Sequence, residues 1–298
     1  MSSGSVTGSV RSLQAAVRDA VQALSIAGID SAEFDAIALA ASVLKTTPSE
    51  VHKQMVMGAS APDGLDDLVA ERARRVPLQH LTGKAGFRRL DLSVGPGVFV
   101  PRFETELVAG LAISHLQSDS VRRGRGPSPL VVDLCTGSGA IALAIKDEVP
   151  TAEVHGVELS DLAHAWAIRN RDDLGLDVDI RLGDATLAFP DLEAAVDVVV
   201  SNPPYIPVGS VPNDPEVRDH DPEVALYGGS SDGLRIPLEV AARAAVLLRA
   251  GGFFVMEHAD VQGDSLPTAL RATGVWQDIQ DHNDLNGRPR AVTAVRAH

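Results

Sequence analysis

The chain has 298 residues, 45% of them hydrophobic and 22% charged, enough for a sizeable core in two domains or one large domain with an extension. Its 26 Lys and Arg stand against 40 Asp and Glu, a formal net charge of −14 that argues against a surface built to neutralise long nucleic acid. A single cysteine, Cys135, excludes a disulfide framework and a multi-cysteine metal site, and with no membrane-length apolar run and no leader-like N-terminus the expectation is a soluble cytoplasmic protein.

Residues 1–9 are rich in Ser and Gly and read as a flexible tail. Val10, Leu13, Val17, Val21 and Leu24 then recur at helical spacing, with Gly28 as a stop. A second helix is expected from Ala32 to Lys45 with Phe34, Ile37, Ala38, Ala41 and Leu44 inward, and two more from Pro48 to about Met57 and from Pro62 to about Arg75. These make a helical domain over 10–84. Residues 1–85 hold 8 basic and 9 acidic side chains, so the acidity lies downstream. No constellation of ligands or catalytic groups marks this region, and such a bundle ahead of an enzyme suits partner docking better than chemistry.

Alternation in Phe87–Val94 and Val98–Val100 around Gly95-Pro96-Gly97 predicts a hairpin over 85–100 that links two domains. The elbow Pro101-Arg102-Phe103-Glu104-Thr105-Glu106 leads into an apolar helix, with Glu104 and Glu106 either compensating the helix dipole or lying against a cofactor. Arg122-Arg123-Gly124-Arg125-Gly126 reads as a solvated basic loop.

The third region, 101–298, carries the chemistry. Leu130–Leu134 is a buried strand, followed by Cys135-Thr136-Gly137-Ser138-Gly139 and a helix from Ala140. Glycines at such a turn let the backbone approach a ligand, and Asp133 at the strand end can accept from an ammonium or a held water. The third glycine of the dinucleotide fingerprint is missing. A second strand, Glu153–Glu158, ends in an acid placed to accept from a ribose diol, and a third, Val178–Leu182, ends at Gly183-Asp184-Ala185, where Asp184 suits an adenine amino group. A glycine loop with a ribose acid but no phosphate site points to a nucleoside ligand such as S-adenosylmethionine.

The run Val196–Val200 stops at Ser201-Asn202-Pro203-Pro204-Tyr205, a rigid turn at a strand's carboxyl end, because neither proline can donate to a ladder. Asn202 offers an amide oxygen and NH2, Pro203 a carbonyl, and Tyr205 a flat ring, a set that grips a planar group bearing an NH2. The turn by itself suits a glutamine amide and an adenine equally. Beyond it, Ile206 to about Asp232 reads as a long loop, in which Arg218 and Asp219-His220-Asp221-Pro222-Glu223 form either a substrate rim or a solvated acidic segment. A helix Leu234–Arg249, a Gly251-Gly252 stop, a strand Phe253–Glu257, a helix near Gln262–Ala272 and strands near Val275–Ile279 and Ala291–Arg296 complete the pattern. Glu257 and His258 read as structural, and Trp166 and Trp276 as packing residues.

Taken together, Asp133–Gly139, Glu158, Asp184 and Asn202–Tyr205 resemble the successive motifs of class I methyltransferases that modify planar nitrogen. The Leu81-Thr82-Gly83 approach, the Pro101–Glu106 elbow, the helical N-terminal domain and the ending Asp284-Leu285-Asn286-Gly287-Arg288-Pro289-Arg290 resemble the HemK/PrmC family, the peptide chain release factor N5-glutamine methyltransferases. Two residues depart from that pattern: Cys135 stands where glycine is usual, and Phe103 where proline is usual. The resemblance implies an α/β, Rossmann-like, S-adenosylmethionine-dependent methyltransferase domain behind a helical-bundle domain and linking hairpin, acting on the glutamine of the Gly-Gly-Gln motif in class I release factors, its partners. It implies Asn202, Pro203 and Tyr205 as catalytic and, with Pro204, substrate-binding, and Asp133, Cys135, Thr136, Gly137, Ser138, Gly139, Glu158, Asp184, Ala185 and Asn202 as cofactor-binding. Competing expectations are glutamine methylation of a ribosomal protein, adenine-N6 methylation of DNA or RNA, which the acidic charge disfavours, and a methyltransferase fold kept only for binding.

Overall fold

The computed structural model describes residues 11–118 and 128–298. The N-terminal tail and the Arg122–Gly126 loop lie outside them. The chain divides into two compact units, one containing the residues up to Gly83 together with Asp214–His220, the other Lys84–Asn213 with Asp221–His298.

The first unit is built from α1 (Leu13–Ile26), α2 (Ala32–Leu44), α3 (Pro48–Val56), α4 (Leu65–Ala73) and the short α5 (Leu78–Thr82). Ser12 caps α1 by accepting from the Ala15 N–H, and Thr47 caps α3 ahead of a proline whose missing N–H costs nothing there. Leu13, Val17, Leu24, Ile37, Leu39, Val51 and Leu65 close the core. Phe34, expected inward, is 67% exposed. One step along the helix, Asp35 turns in instead, because Arg72 on α4 donates to it from Nε at 2.6 Å. The fourth helix starts at Leu65 rather than Pro62, after Gly64 in the left-handed region.

The expected hairpin exists with a different turn. Strands β1 (Lys84–Phe87) and β2 (Leu90–Ser93) pair antiparallel around Arg88-Arg89, Arg88 taking a φ of +53°. Glu106 stabilises that tight turn by accepting from the Arg88 N–H at 2.9 Å. Gly95-Pro96-Gly97 is a second bend, and Val98–Val100 does not return as a strand. Lys84 belongs to this hairpin, which is part of the second unit.

A seven-stranded sheet organises the second unit. Its strands are β3 (Leu130–Leu134), β4 (Glu153–Glu158), β5 (Val178–Leu182), β6 (Val196–Ser201), β7 (Leu248–Glu257), β8 (Trp276–Asn283) and β9 (Pro289–Arg296), in spatial order β5-β4-β3-β6-β7-β9-β8. The first five run parallel, and β9 is antiparallel to both its neighbours. Apolar side chains of β3 and β6 feed two core clusters, as expected of strands covered on both faces. The covering helices include α6 (Thr105–Gln117), α7 (Ala140–Glu148) and α8 (Asp161–Leu174). Chain order reverses between β3 and β6, and ligands bind open α/β sheets at that switch point, beyond the carboxyl ends of the strands.

Two expectations fail in the later part. The stretch 206–232 is not a structureless loop: it contains α9 (Pro215–His220) and a 3-10 turn at Glu223–Ala225. Its flanks are fastened, with the Ile206 N–H donating to Leu226 O at 2.8 Å and the Gln262 side-chain Nε2 to Asp232 O at 2.8 Å. The Gly251-Gly252 pair is not a boundary. Helix α10 (Arg235–Leu247) passes directly into β7, and the glycines sit inside that strand opposite a register shift in β6. After it come α11 (Ser265–Thr273) and the β8–β9 pair, with Trp276 stacked on Phe254 at 4.8 Å.

Candidate functional site

Asp133, on β3, is fully buried. Its Oδ2 accepts from the Thr136 hydroxyl at 2.6 Å and from the Ala142 N–H at 3.2 Å, while Oδ1 is buried with no hydrogen-bond partner. Burial raises its carboxyl pKa to about 7. A buried acceptor of this kind is a standing cost unless a donor reaches it. The donor it fits is a cation such as an ammonium.

The loop beside it is shaped for close approach. Gly137 has a φ of +59° with open space where a Cβ would stand, and a Cβ on Gly139, at φ +87°, would come within 2.9 Å of Leu143. Cys135 takes a φ of +69°, a conformation that glycine adopts freely and other residues rarely, and burial pushes its thiol pKa far up. Thr136 and Ser138 are buried. Asn170 on α8, which sequence reading missed, holds the loop by donating to the Ser138 carbonyl at 2.9 Å and to the Ser93 carbonyl at 3.0 Å. Its place in register with Ala163 and Ala167 on the inward face of α8 is the signal that could have flagged it.

Glu158, at the end of β4, accepts from the Gly137 N–H at Oε2 and the Ser160 N–H at Oε1, both at 2.8 Å. Burial raises its pKa, and each oxygen keeps lone-pair capacity for a hydroxyl. The Gly183 N–H donates to the Glu158 carbonyl at 2.8 Å, which brings the Gly183-Asp184-Ala185 segment next to it. Asp184 is exposed, its Oδ1 accepting from the Thr186 N–H and hydroxyl at 2.8 and 2.7 Å. Ala185 packs against the core. An unpartnered acid, a glycine cradle and two further acids at successive strand ends fit the ammonium, ribose and adenine of S-adenosylmethionine.

The Asn202 turn reaches the same edge because Leu134 and Ser201 are register partners, and the Ser201 hydroxyl donates to the Leu134 carbonyl at 2.5 Å. Asn202 is half-buried, and Pro203 and Pro204 are buried. The Asn202 Nδ2 donates to the Thr105 Oγ at 3.2 Å. Tyr205 turns its hydroxyl inward to donate to Glu257 Oε1 at 3.0 Å, and its carbonyl accepts from Gln262 Nε2 at 3.0 Å. Burial raises the phenol pKa, so Tyr205 is no base.

Thr105 and Glu257 are the residues sequence reading undervalued. Of the elbow's residues it is Thr105 that meets Asn202, while Glu106 serves the hairpin turn. Glu257 is 1% exposed at the carboxyl end of β7, beside β6, a position that strand order alone could have flagged. His258 next to it bonds Asp281 at 2.8 Å and the Ala259 carbonyl at 2.8 Å. Arg218 pairs with its neighbour Asp219 at 2.7 Å, and Asp221 accepts from Arg102 at 2.6 Å.

Comparison with known proteins identifies the family. The PrmC N-terminal domain model matches residues 15–83, and the methyltransferase small domain model matches 89–211. A release factor glutamine methyltransferase of Streptomyces coelicolor is 50% identical over 96% of this chain and 98% of its own length. One from Mycolicibacterium smegmatis is 42% identical over 95% of this chain and 98% of its own. At 39% identity, over 98% of both chains, stands a 4-amino-L-phenylalanine/4-methylamino-L-phenylalanine methyltransferase of Streptomyces pristinaespiralis. With such similarity running nearly end to end, the chain belongs to the release factor glutamine methyltransferases, enzymes that draw their methyl group from S-adenosylmethionine.

Proposed function

We propose that this protein methylates the side-chain amide nitrogen of the glutamine in the Gly-Gly-Gln motif of class I release factors, in the cytoplasm. The observation that carries the reading is the placement of the Asn202–Tyr205 turn beside the Asp133–Gly139 loop at the sheet's switch point. The names borne by the relatives at 40–50% identity supply the substrate.

An amide nitrogen is a poor nucleophile because its lone pair is delocalised into the carbonyl, so the site's task is alignment. When bound, S-adenosylmethionine supplies an electrophilic methyl on sulfur. Asp133 would hold its ammonium, Glu158 its ribose hydroxyls and Asp184 its adenine amino group, while the backbone from Cys135 to Gly139 and Ala185 line it. Asn202 Oδ1 and the Pro203 carbonyl would accept the two hydrogens of the substrate amide, fixing its plane and favouring positive charge on nitrogen as the N–C bond forms and the methyl's bond to sulfur breaks, its electron pair staying on sulfur. Orientation of this kind is worth up to about 7–11 kcal/mol, and fixed dipoles add a few kcal/mol more. Pro204 keeps the turn rigid, and Tyr205 walls the pocket with its hydroxyl anchored on Glu257. The nitrogen then releases one proton to solvent, leaving a neutral secondary amide.

Tritiated methyl from S-adenosylmethionine should reach a release factor but not the same factor with Ala in place of the Gly-Gly-Gln glutamine. Equal labelling of both factors, or labelling of 4-amino-L-phenylalanine or of an adenine-bearing oligonucleotide in their stead, would defeat the reading.

A further inference from the structure

The turn that carries Asn202 and Pro203 ends at Tyr205, and the long segment after it must leave the turn and return without pulling it out of line. Its two flanks form a closed neck. Ile206 bridges Tyr227 in parallel, its N–H donating to the Leu226 carbonyl at 2.8 Å and its carbonyl accepting from the Gly228 N–H at 2.9 Å, while the Val208 N–H donates to the Ser230 carbonyl at 2.8 Å. Backbone packs on backbone here: a Cβ on Gly233 would stand 2.1 Å from the Tyr205 carbonyl oxygen.

We infer that Gln262 is a positioning residue for methyl transfer, which ties Tyr205 to Asp232, fastens the neck of the 206–232 segment and so fixes the backbone of the acceptor turn, an inference that rests on the methyl-transfer reading of this site.

The Gln262 amide spends all its hydrogen-bonding groups on the main chain. Nε2 donates to the Tyr205 carbonyl at 3.0 Å and to the Asp232 carbonyl at 2.8 Å, and Oε1 accepts from the Ala259 N–H at 3.0 Å. Main-chain groups have fixed polarity, so this amide has one orientation. Turned over, it would set its oxygen against two carbonyls and its NH2 against an N–H. Among neutral side chains only Asn and Gln join an acceptor to two donors on one planar head, and Asn is a methylene shorter. Gln262 is 2% exposed, so bulk water does not compete for these bonds. It closes a 3-10 turn, Asp260–Gln262, just beyond β7, and the last residue of β7, Glu257, accepts from the Tyr205 hydroxyl at 3.0 Å. One stretch of chain therefore grips Tyr205 by its ring hydroxyl and by its main chain. At the other end of the turn, Ser201 is held in register with Leu134 and donates to the Leu134 carbonyl. Asn202, Pro203 and Pro204 lie between two fixed ends, the support that an aligned acceptor clamp needs.

The test sets Gln262→Met, which keeps the length and removes all three bonds, beside Gln262→Glu, which keeps the acceptor for Ala259 and removes the paired donors. Both should lower kcat for methyl transfer to the release factor by about 10- to 100-fold, with KM for the factor within about threefold of wild type and the dissociation constant for S-adenosylmethionine within about twofold. A second readout needs no substrate: the Ile206, Val208 and Gly228 amides should exchange with solvent at least about tenfold faster in both variants, while those of β3 and β6 exchange as in wild type. Wild-type kcat in either variant, unchanged exchange at the neck, or a loss of cofactor affinity and of β3 and β6 protection in step with kcat would overturn the inference, the last by showing a merely structural role. Failure of wild type to label the factor would instead overturn the substrate reading, with the exchange data still deciding whether Gln262 fastens the neck.

Discussion

The two units bury charge in opposite ways. In the helical unit, Asp35, Arg72 and Glu216 are all under a tenth exposed, and every one is answered: Ser31 donates to Asp35 at 2.8 Å, Arg72 reaches Asp35 at 2.6 Å and Glu216 at 2.7 Å, and Arg75 reaches Glu216 at 2.7 Å. In the sheet unit, Asp133 and Glu257 are buried as deeply, yet each keeps one oxygen without a partner. A closed network serves the fold, whereas an unpartnered buried oxygen is a cost that asks for an explanation. The helical unit therefore offers a surface and a scaffold. On the reading proposed above, Asp133 is the incomplete carboxylate that a ligand completes.

The comparison breaks first if Arg72 is replaced. Arg72→Met strands two buried carboxylates and should cost the helical unit about 3–5 kcal/mol, while Asp35→Leu/Arg72→Met/Glu216→Leu together should recover most of it. Denaturant titration followed by hydrogen exchange across Ala32–Leu44 reads this directly. If the single and triple variants are equally unstable, the network is not the unit's stabilising feature.

Asp133→Asn should have a smaller effect, of opposite sign on stability. Burial raises the Asp133 pKa from 3.8 to about 7, so the folded protein holds that proton more tightly than the unfolded chain. Stability contributed by this group therefore falls as pH rises from about 4 to 7, and the full cost is present above 7. Without ligand, D133N should melt at least about 3 °C above wild type at pH 8, a difference that vanishes near pH 4. It should also bind S-adenosylmethionine about 100-fold more weakly, since the charged partner of its ammonium is gone. Lower melting at pH 8, or unchanged affinity, would remove Asp133 from the proposed role.

Much of this architecture was legible in the sequence. The valine-rich strands at Val131-Val132, Val154–Val157 and Val196–Val200 have no competing helical period, and each leads into a residue whose chemistry stands out: Asp133, Glu158 and, after Ser201, Asn202. Two of the misses share a cause. Phe34 looks like core by composition, but Arg72, thirty-eight residues away, decides that Asp35 turns in. Likewise α9 hides in an acidic, proline-rich stretch because its one anchoring side chain, Glu216, finds its arginines on another part of the chain. Long-range polar pairing, invisible to local periodicity, accounts for these two. Thr105 and Glu257 carry no local signal, since only a helix start and strand order bring them to Asn202 and Tyr205 respectively.

The smallest expected effect concerns Cys135. Its burial raises the thiol pKa, so despite lying in the cofactor loop it should react with a disulfide reagent at neutral pH at least about 100-fold more slowly than free cysteine, and fully once the protein is unfolded. As the chain's single cysteine it gives an unambiguous count. Fast reaction in the folded state would show that loop to be far more open than its hydrogen bonds allow.

The most direct measurement is a pair of titrations on Asn202→Ala: S-adenosylmethionine binding by calorimetry, and single-turnover methyl transfer to a release factor. An acceptor clamp separate from the cofactor pocket predicts cofactor affinity within a factor of about three of wild type and transfer reduced by about 1,000-fold. Transfer near the wild-type rate, or loss of cofactor affinity in parallel with transfer, would contradict the assignment of the Asn202 turn to the methyl acceptor.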